Sequence, residues 1–330
     1  MSIGNSKLNF SRILFIGWLS LILSSLTFAN QSDSSEASQN QIKEESPAIQ
    51  MPGTDISLFE VSYSDNKPDV TGASESEAEG KVFSNFNKPL VTSIGYDNQP
   101  KFYDNDKLFY TAQLGNQTDI FLLDIHTLKS KQLTQTPVSE YSPSTYLSID
   151  SQFKFSAVVA DEANQTLVLY SENGKQEEQL DKGIVPVGYY LFVGDDYLAM
   201  FRVAEPSELI LVDLKKDKHS IVDKNIGRSF MLKNESEFYY ARKQGDDYLI
   251  VLYNVRSGES NVITRLPKGV EDFSYHTKLG LLSSNGANLV RYDPKTKDWA
   301  LFSSQNEIKN ISRLNVSPNG QWIAVVHDDR

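Results

Sequence analysis

From Pro100 onward, short apolar runs alternate with clusters of Asp, Asn, Gly, Ser and Pro, the pattern of β-strands separated by tight turns. One unit is clear at Thr118-Asp119-Ile120-Phe121-Leu122-Leu123-Asp124, followed by a polar turn and Lys131-Gln132-Leu133-Thr134. The same shape returns at Leu167–Tyr170, Leu209–Asp213, Leu249–Asn254 and Leu289–Asp293. Ahead of each lies another pair of strands around a polar turn, such as Leu314-Asn315-Val316 and Trp322–Val325 around Pro318-Asn319-Gly320. Aligned starts fall at Pro100, Pro143, Gly188, Arg228, Asp272 and Arg313, with steps of 43, 45, 40, 44 and 41 residues. A repeat of that length, with four strands in each copy, predicts six blades.

The inner strands are apolar on both faces, so each sheet must be covered on either side, as stacked propeller blades are. A sandwich would instead alternate polar and apolar positions along most strands. The sixth unit reaches only its second strand before Arg330. Upstream, Thr54-Asp55-Ile56-Ser57-Leu58-Phe59-Glu60 echoes Thr118–Asp124, and Lys88-Pro89-Leu90-Val91-Thr92 echoes the fourth strand. Two N-terminal and two C-terminal strands are therefore expected to complete the last blade and leave no open edge. The reading is an all-β, six-bladed β-propeller over residues 54–330, with an acidic surface loop at 64–80.

Composition adds compartment. Residues 1–12 are polar with Lys7 and Arg12, and Ile13–Phe28 is an apolar run of sixteen residues that ends at Ala29. That order reads as a secretory signal over 1–29, because the run falls short of the roughly 20 residues a spanning helix needs. Residues 30–53 are rich in Ser, Gln, Glu and Asn and read as a solvated, disordered linker. The net charge is −11, and residues 30–85 hold 11 acidic side chains against three lysines. No basic field is available for a nucleic-acid partner. The absence of cysteine excludes disulfides, a thiol nucleophile and thiolate metal sites. The expected location is the periplasm or the exterior, as a monomer without stable membrane insertion once the signal is cleaved.

The stretches Thr136–Ser144 and Val316–Ala324, with Thr118-Asp119-Ile120-Phe121 and Gln132-Leu133-Thr134, resemble the repeat of TolB-like β-propellers, a WD-like repeat of Ser-Pro-Asp-Gly, Asp-Ile-Tyr and Leu-Thr elements. The first, second and last units carry the likeness most closely. The resemblance implies the propeller architecture and a protein- or peptide-binding role in the cell envelope. In place of the α/β domain that precedes the propeller in TolB itself, only the polar linker is expected here.

Chemistry is sparse. No Gly-x-Ser-x-Gly elbow occurs, and the four histidines, His126, His219, His276 and His327, lack zinc-binding spacing. His126 and His219 are read as turn residues, and His276 and His327 as structural residues of strands. The acidic pairs Asp104/Asp106, Asp195/Asp196 and Asp246/Asp247 read as turn chemistry, with calcium as the alternative. Asp55 and Asp119 repeat at one position and read as blade-stabilising hydrogen bonds. The segments entering each first strand should gather at the channel mouth. They supply Asp97, Asn98, Gln99, Glu140, Tyr141, Tyr189, Tyr190, Arg228, Glu271, Asp272 and Arg313. Such groups can bind a peptide terminus or a polar ligand through charge-assisted bonds, or form an internal salt-bridge ring. The expectation is a non-catalytic protein- or peptide-binding module with no cofactor and no metal. The alternative is a ligand-sensing or hydrolase/lyase-type propeller that uses the channel, with Ca2+ as a candidate ion.

Overall fold

The strand Lys107–Leu114 shows why the chain folds as it does: Leu108, Tyr110 and Ala112 point into one apolar core and Phe109 into another. A strand with two apolar faces must be sandwiched, and a ring of radial sheets does this at every position. The computed structural model describes residues 51–63, 80–83, 90–146, 153–304 and 308–329, all within one compact unit spanning Ile49–Arg330. The signal segment, most of the polar linker and the acidic loop expected at 64–80 fall outside the described residues, apart from Gly80.

Among the described residues every regular element is a strand. Two N-terminal strands, β1 (Thr54–Tyr63) and β2 (Gly80–Phe83), precede blade 1, which is β3 (Asp97–Phe102), β4 (Lys107–Leu114), β5 (Gln117–Asp124) and β6 (Lys129–Gln132). Blade 2 is β7 (Ser139–Tyr146), β8 (Lys154–Ala160), β9 (Gln165–Ser171) and β10 (Gln176–Gln179). Blade 3 is β11 (Val187–Val193), β12 (Tyr197–Arg202), β13 (Glu208–Asp213) and β14 (Lys218–Lys224). Blade 4 is β15 (Ile226–Asn234), β16 (Glu237–Gln244), β17 (Asp247–Asn254) and β18 (Ser260–Arg265). Blade 5 is β19 (Phe273–His276), β20 (Gly280–Ser284), β21 (Asn288–Asp293) and β22 (Asp298–Ser304). Blade 6 joins β23 (Arg313–Val316) and β24 (Trp322–Asp328) to the N-terminal pair in the order β2-β1-β24-β23.

The closing ladder runs from Thr54 opposite Asp328 to Glu60 opposite Trp322. Each adjacent pair of blades shares its own apolar core, six in all among the described residues, including one between blades 5 and 6 and one between blades 6 and 1. The ring is a six-bladed propeller closed by both ends of the chain.

One detail of the closure differs from the expectation at Lys88–Thr92. The outer strand of blade 6 is β2, which pairs with the far end of β1, Glu60–Tyr63, whereas the fourth strand of blade 1 pairs with Phe121–Asp124, the counterpart of Ser57–Glu60. Leu90 and Val91 still reproduce part of the pattern. Their amides donate to Ile56 O at 2.6 and 3.3 Å, just as Leu133 and Thr134 donate to Ile120 O at 2.8 and 3.4 Å. The echo therefore marks the last residues of the fourth-strand segment, and the ladder itself lies upstream.

Hydroxyls stitch the blades together. Thr54 Oγ1 donates to Asp97 O at 2.8 Å, Thr118 Oγ1 to Glu140 O at 2.9 Å and Ser207 Oγ to Ile226 O at 2.7 Å. The Thr before the repeated Asp thus carries the link from blade 1 to blade 2, while Asp119 accepts from the Gln132 and Gln117 amides within its own blade. Asp104 Oδ1 accepts from the Asp106 and Lys107 amides at 2.8 and 2.7 Å, which is turn chemistry. His126 lies in the β5–β6 turn against Asp106, whereas His219 sits on the exposed edge strand β14 instead of a turn. His276 and His327 are buried; His276 contacts Pro318 O in the next blade at 3.0 Å, and His327 contacts Ser57 Oγ across the closing ladder at 2.9 Å.

Candidate functional site

The first strand of each blade lines the central channel, and all six blades contribute to one cavity of about 100 Å³. Two of these strands are bent where they meet it. Gln99 and Ser142, each just before a proline, adopt φ of 53° and 52° at bulges in β3 and β7. A left-handed backbone at a residue other than glycine is held only by its surroundings. Here Gln99 Oε1 accepts from Thr111 Oγ1 at 2.9 Å and from the Ser142 amide at 2.7 Å, tying blade 1 to blade 2 at the channel wall.

Of the residues named from the sequence, Gln99, Tyr189, Tyr190, Arg228, Asp272 and Arg313 meet around this cavity. Arg313 of blade 6 reaches across to blade 3, donating to Tyr189 Oη at 2.9 Å with its guanidinium 5.4 Å from the ring centroid. Arg228 lies between two acids, with Nη1 3.8 Å from Glu271 and Nε 3.7 Å from Asp272. Glu271 also accepts from the Arg228 amide at 2.7 Å. Asp272 is buried and accepts from Ser229 Oγ at 3.0 Å and the Leu314 amide at 3.2 Å. Burial pushes its carboxyl up, and Arg228 and Arg313 pull it down.

The remaining named residues stand back from the cavity. Asn98 is buried beside Thr54, with 3.3 Å between Nδ2 and Oγ1. Tyr141 packs against the core between blades 2 and 3. Asp97 and Glu140 occupy equivalent places at blade junctions and are fully buried. Asp97 Oδ2 accepts from the Ser93 amide at 2.6 Å, and Glu140 Oε1 accepts from Thr136 Oγ1 at 2.5 Å. Burial pushes Asp97 up to about 6, with Asp55 adding to the rise. It pushes Glu140 up to about 7, with Thr136 opposing and Asp119 reinforcing.

The reading of strand starts missed Lys101, Ser142 and Asn315, which also line the cavity. Lys101 sits two residues beyond Gln99, across the bulge in β3 where simple alternation fails. Among the described residues the Lys101 ammonium has no hydrogen-bond or ion-pair partner, and burial pushes its pKa down. Among the described residues there is no group of three or more His, Cys, Asp or Glu side chains placed to hold a metal ion.

No family model and no curated relative matches this sequence. Solved structures do. A chain named for TolB from Agrobacterium tumefaciens superposes with a TM-score of 0.58 at 10% identity, over 84% of this chain and 99% of that one. The fold is the TolB-like six-bladed propeller. A chain of a nidogen/laminin complex matches at 0.53 and 11% identity, over 80% and 98% of the two chains. TolB from Acinetobacter baumannii matches at 0.49 and 12% identity, and the overlap covers 84% of this chain and 64% of that one.

Proposed function

We propose that this propeller is an exported binding module that engages a protein or peptide of the cell envelope at its channel and performs no chemistry on it. The observation that carries the reading is the convergence of Tyr189, Tyr190, Arg228, Asp272 and Arg313, drawn from four blades, on one solvent-open cavity. Tyrosine and arginine are the side chains that most often anchor partners, because each combines a large contact area with directed donors. The apolar, positively flanked segment at 13–28 supports export to the periplasm or beyond. Among the described residues no helix is long and apolar enough to cross a membrane. The buried histidines serve contacts within and between blades, which directs attention to the channel's arginines and tyrosines instead.

The test is a cross-linked pull-down from envelope extract, with the parent chain beside an Arg228→Glu, Arg313→Glu variant that circular dichroism shows to be folded. The expected result is a partner captured by the parent and lost by the variant. Equal capture by both would remove the channel from the account, and no capture by either would remove the protein partner.

A further inference from the structure

The charges lining the cavity do not balance. Lys101, Arg228 and Arg313 face it, and Asp272 is the only carboxylate among its lining residues. That carboxylate is already engaged by Ser229, the Leu314 amide and Arg228, and Glu271 also turns to Arg228. Arg228 therefore belongs to an internal ion-pair cluster. Arg313 and Lys101 make no close ion pair: Arg313 feels Asp272 only at longer range and donates to the Tyr189 hydroxyl, and Lys101 has no partner among the described residues. Both are half-buried, and a cation withdrawn from water without a contacting carboxylate is unfavourable. Such a residue is retained against that cost where an anion completes it.

We propose that the cavity binds a single carboxylate group, with Lys101 and Arg313 as its receptors and Tyr189 holding the guanidinium in place. The inference rests on reading the channel as the binding site. A monoanion suits it better than a dianion such as phosphate, since Asp272 and Glu271 offset two of the three cations nearby and leave a net single positive charge. A planar guanidinium donates two parallel N–H bonds to a carboxylate, and an ammonium adds a donor from a second direction. A cavity of about 100 Å³ admits a carboxylate on a short stem, and its open mouth lets the rest of the ligand extend into solvent. The carboxyl can be the C-terminus of a peptide or that of a small organic acid.

The experiment follows thermal unfolding of the purified chain at fixed ionic strength with propionate, its neutral isostere propionamide, and triglycine with a free or an amidated C-terminus. A ligand that binds only the folded state raises Tm by mass action. Propionate at tens of millimolar is expected to raise Tm by about 2 °C or more, and propionamide not at all. Lys101→Gln and Arg313→Gln are each expected to abolish the propionate response. Lys101→Gln should also keep or raise Tm in the absence of ligand, which shows that the variant is folded. A response to free but not amidated triglycine assigns the carboxyl to a peptide terminus; a response to propionate alone assigns it to a small acid. Equal responses to propionate and propionamide, no response in the parent, or an undiminished response in Lys101→Gln would each overturn the inference. If the carboxylate response is absent while a partner is still captured through Arg228 and Arg313, the inference fails and the binding-module reading stands. A carboxylate response with no captured protein has the opposite meaning.

Discussion

Asp97 and Glu140 are two carboxyl groups held at equivalent blade junctions, and both keep their protons to unusually high pH, about 6 and about 7. The cause is burial, which penalises the ionised form. In the unfolded chain they would titrate at about 4. Between about pH 4 and pH 7 the folded state therefore binds more protons than the unfolded one, and stability falls as pH rises through that window. Each group can contribute at most about 3 kcal/mol to that fall, because a tenfold difference in proton affinity between the folded and unfolded states is worth about 1.4 kcal/mol. Urea unfolding should show the parent more stable at pH 5 than at pH 8, and Glu140→Gln, which mimics the protonated acid, should narrow the difference. A parent equally stable at both values would contradict the burial assigned to these groups. The net charge of −11 acts in the same direction through self-repulsion, and comparison with the variant separates the two.

At the scale of elements, β1 decides whether the ring closes. It supplies the ladder to β24, the Thr54 link to blade 1, and Ile56 and Leu58 for the core between blades 6 and 1. A chain lacking residues 54–92 loses those bonds and leaves β24 with an open edge that can pair with another molecule. The expected outcome in size-exclusion chromatography is aggregate, whereas deletion of 30–50 should leave a monomer. A stable monomer from the shorter chain would contradict closure by both ends. Within the cores, Phe109 is fully buried between blades 1 and 2, and Phe109→Ala should cost about 3–5 kcal/mol in denaturant unfolding. A loss below about 1 kcal/mol would show that the core can collapse around the missing ring.

For the molecule as a whole, the repeat carried most of the architecture. Apolar residues on both faces of strands such as Lys107–Leu114 leave few alternatives to stacked blades, and the likeness of Thr54–Glu60 to Thr118–Asp124 located the ladder between the closing strand and β24, although the strand itself runs on to Tyr63. Legibility ended where geometry is set by neighbours distant in sequence. The place of β2 depends on how far β1 extends past Glu60, and the Thr-Asp repeat does not announce that the threonine hydroxyl reaches the blade 2 backbone while the carboxylate faces Glu140. In the channel, Arg228, Asp272 and Arg313 were legible as charged residues at strand starts. Lys101 was missed because the bulge between Asn98 and Lys101 breaks simple alternation at that point.

The proposed function puts partners at the channel and not on the outer edges, where Ile221, Val262 and Leu301 lie exposed on β14, β18 and β22. The most direct measurement places a photo-reactive amino acid at Tyr189 or at Ile221 and irradiates intact cells that produce the protein. A discrete cross-linked adduct is expected from position 189 and none from 221. An adduct from 221 alone would contradict it and move the binding surface to the rim.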